Sequence, residues 1–96
     1  KKKMKTVVVL IGNSDDKLSQ ARWSDFYMYV DSVINSYSRD VHFSGTSIPN
    51  HRFQNACFVG EVSINAIDDI RNYLKRLKDE FKQHSIAILV GDTEFI

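Results

Sequence analysis

Residues 6–11, TVVVLI, form a run that past Thr6 has no polar residue on either side of the pleat. Val7, Val9 and Ile11 would point one way and Val8 and Leu10 the other, because successive strand side chains alternate. A strand apolar on both sides belongs inside a sheet, so this run is expected to be a central strand. Gly12 and Asn13 follow as a turn, and the polar loop 12–16, GNSDD, leads into a long helical pattern. Asp16 or Ser19 can cap that helix by accepting from its free backbone N–H groups.

Trp23, Phe26, Tyr27, Val30, Val33, Ile34 and Tyr37 recur at helical spacing, which predicts one apolar stripe over residues 19–37. The run SYSRD, 36–40, is expected to end the helix. Residues 41–44, VHFS, read as a half-buried strand with one polar face. Residues 46–55, TSIPNHRFQN, hold the only proline and read as a long hairpin connection. Residues 55–62, NACFVGEV, form the second nearly two-sided strand: Ala56, Phe58, Gly60 and Val62 alternate with Cys57, Val59 and Glu61.

Ser63 or Asn65 can cap a second helix, with Asp68 and Asp69 in its first turn, where the dipole favours negative charge. Its stripe is Ile67, Ile70, Leu74, Leu77 and Phe81. Gln83 and His84 close it, and a last strand spans 85–90. The tail, 91–96, ends in Phe95 and Ile96 and is expected to dock on something.

The order is therefore β, α, β, β, α, β. It predicts an α+β, ferredoxin-like βαββαβ sandwich: a four-stranded antiparallel sheet with two helices on one face, strands ordered four, one, three, two. The two strands read as two-sided fall in the two central places. One domain covers 4–96, since 96 residues build a single core. Lys1, Lys2 and Lys3 precede Met4, which reads as a native start, and they are set aside as an appended or disordered segment.

A composition of 43% hydrophobic and 26% charged residues, and a net charge of +1 that falls near neutral without the leading lysines, fits a globular domain. It gives no global support to nucleic-acid binding. No apolar run approaches the roughly 20 residues of a membrane helix, so a cytoplasmic protein with no membrane partner is expected. A single cysteine, Cys57, excludes an intramolecular disulfide and a cysteine zinc site; it reads as a small core residue. No phosphate-binding or dinucleotide-binding glycine motif occurs, and no cofactor is expected.

Two functional expectations follow from this topology. The helices cover one sheet face, yet the strands offer apolar residues to both, so a set such as Val8, Leu10, Cys57, Val59, Ala87 and Leu89, or the alternating set, faces away from the helices. A patch of that kind predicts a homodimer, formed through the sheet face or through an added strand from the tail. The topology also brings the loop after the first strand, the hairpin and the loop after the second helix to one end. Asn13, Ser14, Asp15, Asp16, His51, Arg52, Gln54 and Asn55, with Arg22 and His84 nearby, are the candidate ligand-binding residues there.

Asp15 and Asp16 read first as helix-capping acids and second as ligands for a divalent cation. His51 and Arg52 read as a solvated hairpin tip, or as an imidazole and guanidinium pair for an anion. Arg71, Lys75, Lys78 and Lys82 form a row beside the stripe of the second helix. The row is either a set of snorkelling stems or a phosphate track for nucleic acid.

VVVLIGNSDD, QNACFVGEV, IDDIRNYLKRLKDEF and HSIAILV together resemble, over residues 6–90, the small ferredoxin-like family of the CRISPR adaptation subunit and the VapD-type toxin ribonucleases. The chain also looks like small uncharacterised phage and bacterial proteins. The family resemblance implies a dimer associated with nucleic acid. In that family an acid stands directly at the end of the first strand, where this chain has Gly12 and Asn13, and the departure weighs against a metal-dependent nuclease. The resulting expectation is a non-catalytic dimeric binding module for a polar ligand or nucleic acid. The alternatives are a metal-dependent ribonuclease using Asp15 or Asp16 with His51, and a small-molecule sensor binding at a dimer interface.

Overall fold

A computed structural model describes residues 3–13, 18–47 and 54–96. Its elements are β1 (Met4–Gly12), α1 (Gln20–Tyr37), β2 (Ser38–Thr46), β3 (Asn55–Ser63), α2 (Ile67–Glu80) and β4 (Ala87–Gly91). The sheet is antiparallel throughout, ordered β2-β3-β1-β4. This is the ferredoxin-like order expected from the two strands without a polar side.

Both central strands divide their residues as alternation requires. Val7, Val9 and Ile11 of β1 and Ala56, Phe58 and Val62 of β3 are buried against Trp23, Phe26, Val30 and Ile34 of α1. Ile67, Ile70 and Leu74 of α2, with Phe81 just beyond it, complete that core. Tyr27 packs its ring 5.1 Å from that of Phe58, which ties α1 to β3. Fully buried aromatic and branched side chains of this kind contribute about 1.5–3 kcal/mol each.

Ser19 is the N-cap of α1, its Oγ accepting from the Arg22 N–H at 3.2 Å. The helix passes into β2 with no loop, and the Ser38 N–H closes it on the Ile34 carbonyl. β2 is thus longer than the four residues expected, and it is irregular. Its register against β3 shifts between Ser38 and Asp40 and again between Val41 and Phe43. The second bulge breaks strict alternation: Val41 pairs with Gly60, which faces the helices, while Phe43 pairs with Val59, which does not. Bulges are common on edge strands, where they twist the backbone and blunt further pairing.

Ser63 caps a single turn of tighter helix, Ile64–Ala66, that leads into α2, and Asp68 and Asp69 occupy the first turn as expected. Lys3 is tied into the fold, since its carbonyl accepts from the Ile64 N–H at 3.0 Å.

The far end of α2 differs from the expectation. The helix stops at Glu80, and Lys82 takes a left-handed conformation with φ 54°. The Lys82 N–H reaches the Asp79 carbonyl and the Gln83 N–H the Lys78 carbonyl, the two bonds of a Schellman motif. Glycine usually fills this position because an L side chain there costs about 1–2 kcal/mol. Lys82→Gly is expected to raise stability by about 1 kcal/mol, read as a higher urea midpoint at unchanged slope. A midpoint equal to or below that of the parent would contradict this account of the cap.

Candidate functional site

Asn13 just after β1, the foot of the β2–β3 hairpin and the segment after α2 meet at one end of the sheet. Asn13 ties the end of β1 to the hairpin. Its side chain is 3% exposed, and its Nδ2 donates to the Leu18 carbonyl and to Gln54 Oε1, both at 3.0 Å. Its Oδ1 accepts from the Leu18 N–H at 3.0 Å, and its own N–H donates to the Gln54 carbonyl at 2.8 Å. Both Nδ2 hydrogens and the Oδ1 of this amide are engaged by the fold. Asn13, a candidate ligand-binding residue by sequence, is therefore a clasp that positions the site.

Gln54 extends the clasp to α1 through reciprocal amide bonds with Gln20, at 3.0 and 2.8 Å. Its neighbour Asn55 exchanges bonds with Ser47 across the hairpin, while its side chain lies directly over Gly12. A Cβ on Gly12 would stand 2.8 Å from Asn55 Oδ1, so the glycine admits the amide to the strand end. Beside it a cleft of about 280 Å³ is lined by Leu10, Gly12, Asn55, Gln83, His84 and Ser85, among others. The lining offers amide, imidazole and hydroxyl groups without a fixed charge. Such a set suits hydrogen bonding to a polar ligand.

Arg22 is at this end too, its guanidinium 4.3 Å from the centre of the Phe81 ring, a cation–π contact that fixes the ring after the α2 cap. Ser14, Asp15, Asp16, His51 and Arg52 lie outside the described residues. Gln83 and Ser85 join the site without having been singled out as ligand residues. Their signal in the sequence was only their place after the second helix, at the end where the loops meet.

The basic row on α2 is shorter than the sequence suggested. Arg71, Lys75 and Lys78 line one shallow groove of about 180 Å³ with Leu74, Ile86 and Ile88. Lys82 leaves the row because the chain has already turned left-handed there. Arg71 Nη1 is 3.1 Å from Asp68 and Lys78 Nζ 3.8 Å from Asp79, so two of the three cations have a carboxylate beside them.

The face turned from the helices is apolar at its centre. Phe43, Val59, Val8 and Leu89 are lateral neighbours across all four strands, and Gly45, Cys57, Leu10 and Ala87 form the next rank. Phe43 is 55%, Leu10 48% and Leu89 67% exposed. Cys57, expected in the core, is half-buried on this face. Phe43 lays its ring over Gly45, where a Cβ would meet the ring at 2.8 Å.

The tail docks at the Met4 end of the sheet, with Thr93 and Phe95 on the uncovered face. Asp92 pairs with Lys5 at 2.9 Å, and that ammonium holds its carboxyl below the ordinary range. Thr93 meets Thr6, and Phe95 sets its ring 6.0 Å from His42. The Val8 and Leu10 end stays bare, and Phe95 and Ile96 remain exposed.

Among the described residues no helix is long and apolar enough to cross a membrane. Neither a family model nor a curated protein matches the chain. Among solved structures it is similar to an uncharacterised protein from Thermotoga maritima, with 8% identity and a TM-score of 0.54, covering 98% of this chain and all of that one. It is also similar to an unknown protein from Galdieria sulphuraria, with 14% identity and a TM-score of 0.51 over 95% of this chain, and it spans about half (49%) of that longer protein. Likeness at this level of identity is likeness of fold.

Proposed function

We propose that the chain is a non-catalytic binding module that works as a homodimer, two copies meeting across the uncovered sheet face, with the loop end of each offering a polar ligand site. The observation that carries this reading is the row Phe43, Val59, Val8 and Leu89. A monomer leaves that row in water, whereas a second copy would bury it. Its surroundings fit an interface, since an apolar centre is bordered by polar groups: Thr6 and His42, both in contact with Glu61, stand at the Met4 margin. Exposed Phe95 and Ile96 at the same margin are placed to reach onto a partner.

Leu89→Lys tests the reading. At 67% exposure the side chain contributes little to the monomer, so the substitution should change folding stability by no more than about 0.5 kcal/mol. Two buried ammonium groups at an interface would abolish association. Sedimentation should give a dimer for the parent and a folded monomer for the variant. A parent chain sedimenting as a monomer throughout the micromolar range would refute the proposal.

The neutral loop-end cleft favours a polar small molecule over nucleic acid. The row Arg71, Lys75 and Lys78 is short and partly neutralised by Asp68 and Asp79, while a phosphate track draws its affinity from released counterions. Titration of a labelled single-stranded RNA at low and moderate salt should show no salt-sensitive binding. Tight binding that weakens with salt and is lost in the Lys75→Gln, Lys78→Gln double variant would favour the nucleic-acid reading. Cleavage of that RNA upon adding magnesium would favour the ribonuclease.

A further inference from the structure

The helix layer carries a groove on its own outer side, away from the sheet. Tyr29, Ser32, Val33, Ser36 and Tyr37 of α1 face Tyr73, Arg76 and Leu77 of α2 across a cleft of about 460 Å³, larger than the one at the loop end. The α1 residues follow steps of three, one, three and one, and the α2 residues steps of three and one, so each helix gives one stripe. These stripes lie beside the core-facing ones. Tyr29 is 57% and Tyr73 44% exposed, large aromatic surfaces left to water.

The lining is sorted by chemistry. Val33, Leu77 and the ring faces of Tyr29 and Tyr73 supply apolar walls. Arg76 holds its guanidinium 5.5 Å from the centre of the Tyr73 ring and has no carboxylate partner among the described residues. Ser32 and Ser36 bring hydroxyls from the opposite helix. Tyr37 and Tyr73 close the cleft with ring centres 6.0 Å apart. Partial burial, with Tyr73 and Asp69 nearby, raises the Tyr37 phenol above the usual tyrosine value, so it remains a neutral donor at ordinary pH.

We propose that this groove binds a small aromatic carboxylate, its ring laid against the tyrosines, Val33 and Leu77 and its carboxylate held by Arg76 and the serine hydroxyls. An unpaired guanidinium stacked on an aromatic face is suited to a planar anion, which it can engage at two points. The cleft lies within the range of small-molecule sites, and apolar walls with a few convergent polar groups are their usual make-up. The occupant is therefore both aromatic and anionic. An amine of the same shape would meet Arg76 as a like charge.

The probe is 3-phenylpropionate, followed by the amide and tyrosine-ring signals of the full chain in NMR. The expected result is saturable binding with a Kd of about 1 mM or tighter, with shifts confined to the Tyr29, Tyr37 and Tyr73 neighbourhood. Propionate, which lacks the ring, and 3-phenylpropylamine, which reverses the charge, should each bind at least tenfold more weakly. Arg76→Gln, at an exposed position, should fold normally and weaken phenylpropionate at least tenfold. Leu89→Lys should leave the affinity unchanged, which separates this site from the proposed dimer face. Absence of saturation, equal affinity for the amine, or an unaffected Arg76→Gln variant would overturn the proposal.

Discussion

Replacing Phe26 with alanine is expected to remove about 3–5 kcal/mol of folding stability, a large share of the roughly 5–15 kcal/mol that holds a domain together. Phe26 is fully buried. Its ring stacks on Phe81 at 4.9 Å and 30° and meets the edge of Trp23 at 6.3 Å. Phe81 in turn receives Arg22 on its face and Tyr29 at 6.0 Å. One phenyl ring therefore couples the middle of α1 to the end of α2, and its loss leaves a cavity among rigid neighbours that cannot collapse to fill it. The thermal midpoint should fall on the order of 15–30 °C. Phe26→Leu, which keeps most of the volume, should cost less than half as much. Equal losses from both substitutions would mean that volume does not govern the site.

The second large effect is expected at Asn13. Asn13→Ala deletes the bonds from its side chain to the Leu18 carbonyl, the Leu18 N–H and Gln54, in a place water reaches poorly. Unpaired buried polar groups make such losses worth about 2–4 kcal/mol. Asn13→Asp should be no milder, because a carboxylate can accept from Leu18 but cannot donate to its carbonyl, and it brings charge to a buried position. Urea unfolding gives the loss, and amide exchange at Leu18 and Asn13 locates it. If Asn13 were instead a ligand residue, its alanine variant would keep full stability and lose only binding.

The architecture was legible because two strands without a polar side can occupy only the interior of a four-stranded sheet. Alternation on the regularly pleated β1, β3 and β4 groups Val8, Leu10, Cys57, Val59, Ala87 and Leu89 on one face, and the packing of α1 and α2 on the other set decides which face is uncovered. That argument fails on β2, where extra residues after Ser38 and Val41 shift the register. The residues flanking a bulge carry no distinctive side chains, so Val41 and Phe43 looked as though they shared a face. At Lys82 the chain adopts a glycine-like conformation without a glycine, and the helix was read one turn too long.

The candidate site was legible in outline for a similar reason. Topology determines which loops meet, and Asn13, Gln54 and Asn55 do come together. It does not reveal that Asn13 spends its amide on Leu18 and Gln54, because that depends on backbone groups with no signature in the sequence. The groove between the helices lay further out of reach. Tyr29, Tyr37, Tyr73 and Arg76 are separated by up to 47 positions, and only the relative placement of α1 and α2 sets them around one cleft.

The central claim, association through the uncovered sheet face, is tested most directly by the reactivity of Cys57. It is the only cysteine in the chain and lies on that face in register with Leu10 and Gly45, so no substitution is needed to install a probe. The rate of modification by a thiol-specific reagent in excess should fall several-fold as the protein is raised from low to high micromolar concentration, and should stay fast at every concentration in Leu89→Lys. A rate independent of concentration in the parent chain, accompanied by the sedimentation of a single chain, would contradict the account.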